Sequence, residues 1–275
     1  MPAMPQKPSS ETVSASLGCF LIHGYGGSFF EMEGLAAALA GAGFATHLVC
    51  LPGHGEGHEN FTDYRFPHWL AHAEKEFRLF AEQYERVAVV GFSMGGTIAL
   101  NLAARYPVAG IVTISTPLFA LGLFPWPLDN LKFHAATLVS QTRQFLGLHK
   151  LKVSDTGETS RDIAPWKGFN GPLHWGQLFS IRRGCAATRA LVPRVTAPLL
   201  ALQDARDKLV NPNNVWEIAR RASSVDTSVI LTRIRENVSR HHMVPTHRET
   251  AALAAAAVVR FCREKTLDPV PGPCV

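Results

Sequence analysis

The sequence predicts an α/β chain with a mostly parallel central sheet, and three observations carry that prediction. Short runs of small and β-branched residues, bounded by glycine-rich loops, alternate with longer helical patterns. One such run, 87–90, meets Gly91-Phe92-Ser93-Met94-Gly95 and then turns helical. This is the G-x-S-x-G pattern, in which a serine occupies a sharp strand-to-helix turn. The third observation is an interruption: from 115 to about 191 the alternation gives way to an apolar, aromatic-rich segment, and it resumes afterwards.

The apolar run over 17–22 reads as the first core strand, ending at His23-Gly24-Tyr25-Gly26-Gly27. Residues 31–42, rich in Ala and Leu, read as a helix stopped by Gly43, and 45–51 as the next strand, an order that implies a right-handed crossover. Over 67–84, Trp69, Leu70, Ala73, Phe77, Phe80 and Ala81 recur at helical spacing. His68 and His72 share a face of that helix with no third ligand nearby, and read as solvent-facing. The elbow strand and a helix to 105 follow, then a strand over 108–114. Beyond the interruption come a strand over 198–202, a helix over 211–222 with Pro212 near its start, a last strand over 227–234 and an Ala-rich helix over 246–263. Inside the interruption, 131–148 reads as helical and 152–161 as polar, and Trp166, Phe169, Trp175 and Phe179 form an aromatic cluster. The organisation that follows is a flexible N-terminus (1–16), a core (17–114 and 192–263), an inserted cap over the C-terminal end of the sheet (115–191) and a flexible tail (264–275).

Composition narrows the function classes. With 47% hydrophobic residues in a chain of 275, one full core can be buried. The net charge of +5 is spread over scattered Lys and Arg, with no basic run interleaved with aromatics, which argues against nucleic acid as a partner. Cys19, Cys50, Cys185, Cys262 and Cys274 are odd in number and lack metal-ligand spacing, so they read as reduced, mostly buried thiols, the first two inside strands. Residues 1–16 have no long apolar core and read as neither signal peptide nor anchor. The expectation is a cytoplasmic chain without stable membrane insertion, and without a cofactor or metal.

A serine hydroxyl is a poor nucleophile at neutral pH, so Ser93 needs a base in hydrogen-bond reach and an acid to orient that base. In a fold of this kind the acid follows the next-to-last strand and the histidine follows the last. The former loop offers Asp204 and Asp207. Asp207 is preferred, because Asp204 is still at the strand end while Asp207 precedes an apolar pair and the helix start; Asp226 only precedes the last strand. The latter loop offers His241, His242 and His247. A metal-binding reading of these three lacks a nearby carboxylate or cysteine. The backbone N–H groups of Met94 and Tyr25 are candidate oxyanion donors, the glycines around Tyr25 allowing close approach. His23 reads as structural.

Together these residues resemble the α/β-hydrolase superfamily, and within it the compact carboxylesterases and monoacylglycerol lipases. The resemblance covers 17–262 and rests on H-G-Y-G-G at His23, L-P-G-H-G at Leu51, G-F-S-M-G-G at Gly91, D-K-L-V-N-P at Asp207 and H-M-V-P-T-H at His242, in the family's order. It implies the α/β-hydrolase fold, Ser93 as nucleophile, Asp207 as orienting acid, and Tyr25 with Met94 as the oxyanion hole. The last loop of the family carries one histidine where this chain has two. Met243-Val244 match the apolar pair after that histidine and favour His242, whereas Ser239-Arg240-His241 match the residues before it. The implied activity is cleavage of a small-molecule carboxylic ester with an apolar acyl or alcohol part. A thioesterase or amidase with the same machinery, and a binding protein without turnover, are the alternatives.

Overall fold

In the computed structural model, the residues described are 17–55, 60–119, 150–151, 162–169 and 173–265. The predicted helix over 131–148, the polar stretch over 152–161, residues 1–16 and 266–275, and Cys274 lie outside them. Strands β1 (Leu17–Ile22), β2 (Ala45–Val49), β3 (Arg86–Phe92) and β4 (Gly110–Ile114) are followed by a two-residue antiparallel pair, β5 (Lys150–Leu151) and β6 (Leu173–His174), then by β7 (Leu199–Asp204) and β8 (Thr227–Thr232). The main sheet has six strands in the order β2-β1-β3-β4-β7-β8, every pairing parallel. Its helices are α1 (Phe30–Gly41), α2 (Phe66–Ala81), α3 (Met94–Ala103), α4 (Trp175–Leu191), α5 (Asn214–Arg221) and α6 (Ala251–Lys265). This is the α/β-hydrolase fold.

The inner strands β1, β3, β4 and β7 are buried on both faces because both faces are covered, whereas the edge strands β2 and β8 are partly exposed. Alternate residues of β1 divide between two clusters. Phe20 and Ile22 pack with Trp69 and Phe77 of α2, Ile98 of α3 and Ile181 of α4. Leu17, Cys19 and Leu21 pack with Met32 and Leu35 of α1 and Val258 and Phe261 of α6. The parallel register aligns Ile22 with Gly91 and Phe92 with Ile114, so the loops that follow β1, β3 and β4 emerge together at one edge.

The structure corrects several boundaries. Strand β2 stops at Val49, so Cys50 lies beyond it and its thiol donates to the His54 carbonyl at 3.4 Å. Helix α5 starts at Asn214 rather than at 211, because Asn211 Oδ1 accepts the Asn213 N–H in an Asx turn. Helix α6 starts at Ala251 rather than at 246, since 243–250 form successive turns in which the Thr250 hydroxyl donates to the Val244 carbonyl. Helix α4 was not anticipated from the sequence at all. Its buried face is Gln177, Ile181, Gly184, Cys185 and Thr188, a stripe too polar to register as hydrophobic periodicity. That face packs on the body: Asn101 donates to Thr188 Oγ1 at 3.0 Å, the Phe66 N–H donates to Ser180 Oγ at 3.0 Å, and Gly184 lies against the Phe66 ring.

Two glycine substitutions test this packing from opposite sides. A Cβ on Gly95 would stand 2.3 Å from the Ile22 carbonyl oxygen and 2.5 Å from that of His23, both backbone atoms that cannot turn aside. Gly95→Ala is expected to cost about 1–3 kcal/mol or more in urea unfolding, the range for overpacking. Gly34, exposed in α1 with nothing within 4 Å of its would-be Cβ, is expected to gain roughly 0.5–1 kcal/mol as Ala.

Candidate active site

Ser93 sits between β3 and α3 at φ 52°, ψ −122°, a conformation that non-glycine residues seldom adopt. The turn is held by the Ser93 N–H donating to the Ile114 carbonyl at 2.8 Å, and by the Gly96 N–H donating to the Ser93 carbonyl at 2.9 Å. Only glycines fit around it. A Cβ on Gly91 would meet the Gly95 carbonyl oxygen at 2.3 Å, and one on Gly96 would meet Thr116 Oγ1 at 1.8 Å. The elbow therefore packs backbone on backbone and leaves the hydroxyl standing at the head of the sheet.

His242 and Asp207 meet that hydroxyl. His242 Nε2 lies 2.9 Å from Ser93 Oγ, and its Nδ1 lies 2.8 Å from Asp207 Oδ2. The His242 ring is 5% exposed and leans on Phe92, with ring centroids 5.1 Å apart. Asp207 is fixed in turn: its Oδ1 accepts the N–H groups of Leu209 (2.8 Å) and Val210 (2.9 Å), and its Oδ2 also accepts Gln203 Nε2 at 3.0 Å. Asp204 lies where the sequence places it, at the end of β7, and its carboxylate is spent elsewhere. It accepts the Arg206 N–H, the Thr232 hydroxyl and the Ile234 N–H, each at 2.8 Å, joining the ends of β7 and β8. The acid and histidine loops are also tied directly, Lys208 donating from its backbone N–H to the Arg240 carbonyl and from Nζ to the Ser239 carbonyl.

The two adjacent histidines point to different partners. His241 adopts φ 57°, which turns its ring away from Ser93. There Nε2 donates to the Glu236 carbonyl at 2.6 Å and approaches Glu236 Oε1 at 3.3 Å. His247, equally buried, accepts the Glu249 N–H at Nδ1 and so donates from Nε2 to Glu236 Oε1 at 3.2 Å. Both are buried and face Glu236. The premise that no carboxylate lies near these histidines fails, because Glu236 is that carboxylate. Its oxygens further accept the N–H groups of Val238 and Ser239 and the Ser239 hydroxyl. Among the described residues no group of His, Cys, Asp and Glu could hold a metal ion.

The other side of the site is the loop after β1. His23 accepts the Leu51 N–H at Nε2 (3.1 Å), leaving Nδ1 to donate to the Gly24 carbonyl at 2.8 Å, so it ties the loops after β1 and β2 together. The Tyr25 hydroxyl donates to Gln177 Oε1 at 2.7 Å, and Gln177 Nε2 donates to the Phe61 and Tyr64 carbonyls. Burial raises the Tyr25 phenol far above its ordinary value, which keeps it a donor. The Tyr25 ring packs among Phe61 and Trp69, and Phe169 packs tilted against Phe61 while its N–H donates to the Gly26 carbonyl. Among the described residues, no acceptor takes the backbone N–H of Tyr25 or of Met94, the first residue of α3. Gln203, Gln177 and Glu236 carry no motif. Gln177 finds its partners far along the chain, at the Tyr25 hydroxyl and the Phe61 and Tyr64 carbonyls, whereas Gln203 bonds to Asp204 and Asp207 and Glu236 to residues within 238–247.

The profile of the family described as serine aminopeptidase, S33, matches residues 15–233. The chain belongs to this family of hydrolases. It is 28% identical over 227 residues to the thermostable monoacylglycerol lipase of Bacillus sp. (strain H-257), covering 79% of this chain and 81% of that one. It is 30% identical over 207 residues to the pimeloyl-[acyl-carrier protein] methyl ester esterase of Stenotrophomonas maltophilia (strain K279a), covering 70% and 75%. Two solved structures share the fold. That of LipS and LipT, two metagenome-derived lipolytic enzymes, has a TM-score of 0.74 at 22% identity, over 91% of this chain and 94% of the other. That of a soluble monoglyceride lipase variant from Saccharomyces cerevisiae has a TM-score of 0.70 at 14% identity, over 93% and 89%. Among the described residues no helix is long and apolar enough to cross a membrane.

The Glu236 frame has its own acid signature. Against the desolvation that would raise it, hydrogen bonds from Ser239, from the Val238 N–H and from His247 hold the carboxyl at about 2, below its ordinary 4.5. A carboxyl depressed in the fold contributes stability that is whole above the ordinary value and is lost as pH falls through the depressed one. Thermal unfolding followed from pH 6 to pH 2 should therefore lose part of its pH dependence below about 4.5 in Glu236→Gln. An unchanged slope would show that this frame does not rest on the carboxylate.

Proposed function

We propose that the chain is a serine hydrolase of carboxylic esters that works through an acyl-enzyme. The observation that carries this reading is the continuous line Ser93 Oγ, His242 Nε2, His242 Nδ1, Asp207 Oδ2, with contacts of 2.9 and 2.8 Å. In the proposed reaction Ser93 attacks the acyl carbon as His242 takes its proton, and Asp207 faces the resulting imidazolium. The N–H groups of Met94 and Tyr25 receive the oxyanion, helped by the N-terminus of α3. His242 returns the proton to the leaving alcohol, and a water repeats the sequence to release the acid. The aromatic wall of Tyr25, Phe61 and Phe169, together with the names of the two curated relatives, supports an apolar acyl or alcohol part. Residues 115–191 are proposed as a cap over this site. The buried cysteines Cys19, Cys185 and Cys262, none of them in a disulfide, fit a reducing, cytoplasmic setting.

The family description favours a second reading, hydrolysis of an aminoacyl amide, since the same triad serves both leaving groups. Parallel assays on p-nitrophenyl esters of increasing acyl length and on aminoacyl p-nitroanilides distinguish the two. Ester turnover is expected to be the faster, and a dominant anilidase activity would replace the ester reading. A serine-directed phosphonate should add its mass to the Ser93 peptide.

Variants test the roles. Ser93→Ala should lose on the order of a million-fold in kcat. Asp207→Asn should lose roughly ten-thousand-fold. His242→Ala should be inactive, whereas His241→Ala should act through stability and keep measurable turnover. An inactive, folded His241→Ala beside an active His242→Ala would exchange their roles.

A further inference from the structure

Across Gly24 from Ser93 lies a second carboxyl group that the reaction above does not use. Glu31, in the first turn of α1, is 1% exposed. Its Oε2 accepts the Gly24 N–H at 2.7 Å. Gly27 lies flat against it, for a Cβ there would stand 2.1 Å from Oε2 and 2.3 Å from the carboxyl carbon. A Cβ on Gly24 would meet Ser93 Cβ at 3.2 Å and Glu31 Oε2 at 3.3 Å, so the reacting residue and this carboxyl flank the same missing methyl group. The loop that carries the Tyr25 N–H is thus seated on Glu31 at both ends.

We propose that Glu31 is a positioning residue for the oxyanion loop, and that it acts as a neutral carboxylic acid whose ionisation switches the site off. This rests on the ester hydrolase reading above. The first half follows from the contacts: the Gly24 N–H has Glu31 as its acceptor, and the packed carboxyl fixes the 24–27 turn and with it the direction of the Tyr25 N–H. The second half follows from charge. An oxyanion forms at Tyr25 and Met94, on the far side of Gly24, and a carboxylate at Glu31 would repel it through a dry interior where Coulomb terms are strong.

The surroundings agree. From the loop, His23 has both ring nitrogens engaged with Gly24 and Leu51. From the elbow side stand Ser93, His242 and Asp207. Helix α6 supplies Ala254, Val258 and Phe261, which carry no charge, and Cys262, whose thiol is raised well above its ordinary value by its hydrogen bond with Cys19 and by burial. In the 162–169 segment Trp166 packs on Phe30, while Asp162 and Lys167 are exposed. No Lys or Arg among the described residues neutralises Glu31. Burial accordingly pushes its carboxyl up to about 8, opposed only by the Gly24 hydrogen bond.

Three measurements test the proposal on the full chain. A carbon-13 NMR titration of the Glu31 carboxyl needs no turnover and should give a midpoint near 8. The wild-type rates of ester hydrolysis and of Ser93 phosphonylation should fall with that midpoint on the alkaline side. Glu31→Leu, which leaves the Gly24 N–H unpaired, should lower kcat at least tenfold with little change in KM. Glu31→Gln keeps the acceptor and cannot ionise, so it should restore kcat to within a few-fold and abolish the alkaline fall. A Glu31→Gln variant with the wild-type alkaline limb, a Glu31→Leu variant with wild-type kcat, or a midpoint at an ordinary carboxyl value would each overturn it. A wild-type chain that neither turns over esters nor accepts the phosphonate would instead defeat the hydrolase reading, with the titration still reporting on Glu31.

Discussion

The close approach of three backbone segments around Ser93 is the constraint on which the rest of the structure depends. Gly91 and Gly95 let β3, α3 and the end of β1 touch backbone to backbone, and Gly96 makes room for the Thr116 side chain just past β4. The serine is forced to φ 52° as a result. Strain of this kind costs on the order of 1–3 kcal/mol and persists only where the surroundings over-determine it. Here they do: the elbow is hydrogen-bonded to Ile114, the flanking strands are buried on both faces, and α3 is packed along its whole length. A rigid sheet edge is what allows one hydroxyl to be presented repeatedly in one place.

Around that edge the structure solves a second problem, which is that loops carrying functional side chains have no ladder to satisfy their own backbone groups. Buried polar side chains do so instead. His23 joins the loops after β1 and β2, Asp204 joins the ends of β7 and β8, and Glu236 gathers the loop that bears His242. Each accepts backbone N–H groups or donates to carbonyls that no strand can reach. Asp204 and Glu236 thereby fix the loops that bear Asp207 and His242, and His23 fixes the loop that bears Tyr25. Removing one such group leaves a buried donor unpaired, so its cost exceeds the net worth of the bond it made.

How far the sequence discloses this arrangement depends on whether a residue's role is local. The strands are legible because burial on both faces writes an unbroken apolar run, as at Leu17–Ile22, where the expected and observed limits coincide. Asp207 is legible because its loop ends at Pro212 and a helix, and His242 because Met243-Val244 follow it. Helix α4 is not legible, since it buries Gln177 and Thr188 beside Ile181 and Cys185 and satisfies them through partners on other elements. The same holds for Glu236. Three residues downstream, Ser239 already shares its hydrogen bonds, but the decisive partners, His241 and His247, look like alternatives to the base until the chain is folded.

Two carboxyl groups flank the proposed catalytic centre, and their surroundings differ. Asp207 is surrounded by hydrogen-bond partners, Gln203, Leu209, Val210 and His242. Glu31 is buried with the single donor of Gly24, a setting that favours the neutral acid. Separate environments for two acids around one reacting centre are a recurrent way of dividing roles at one pH. On the proposed reading, a neutral Glu31 withholds negative charge from the side where the oxyanion would form. Because the two groups belong to loops after different strands, that asymmetry is a property of the sheet edge as a whole and not of any one motif.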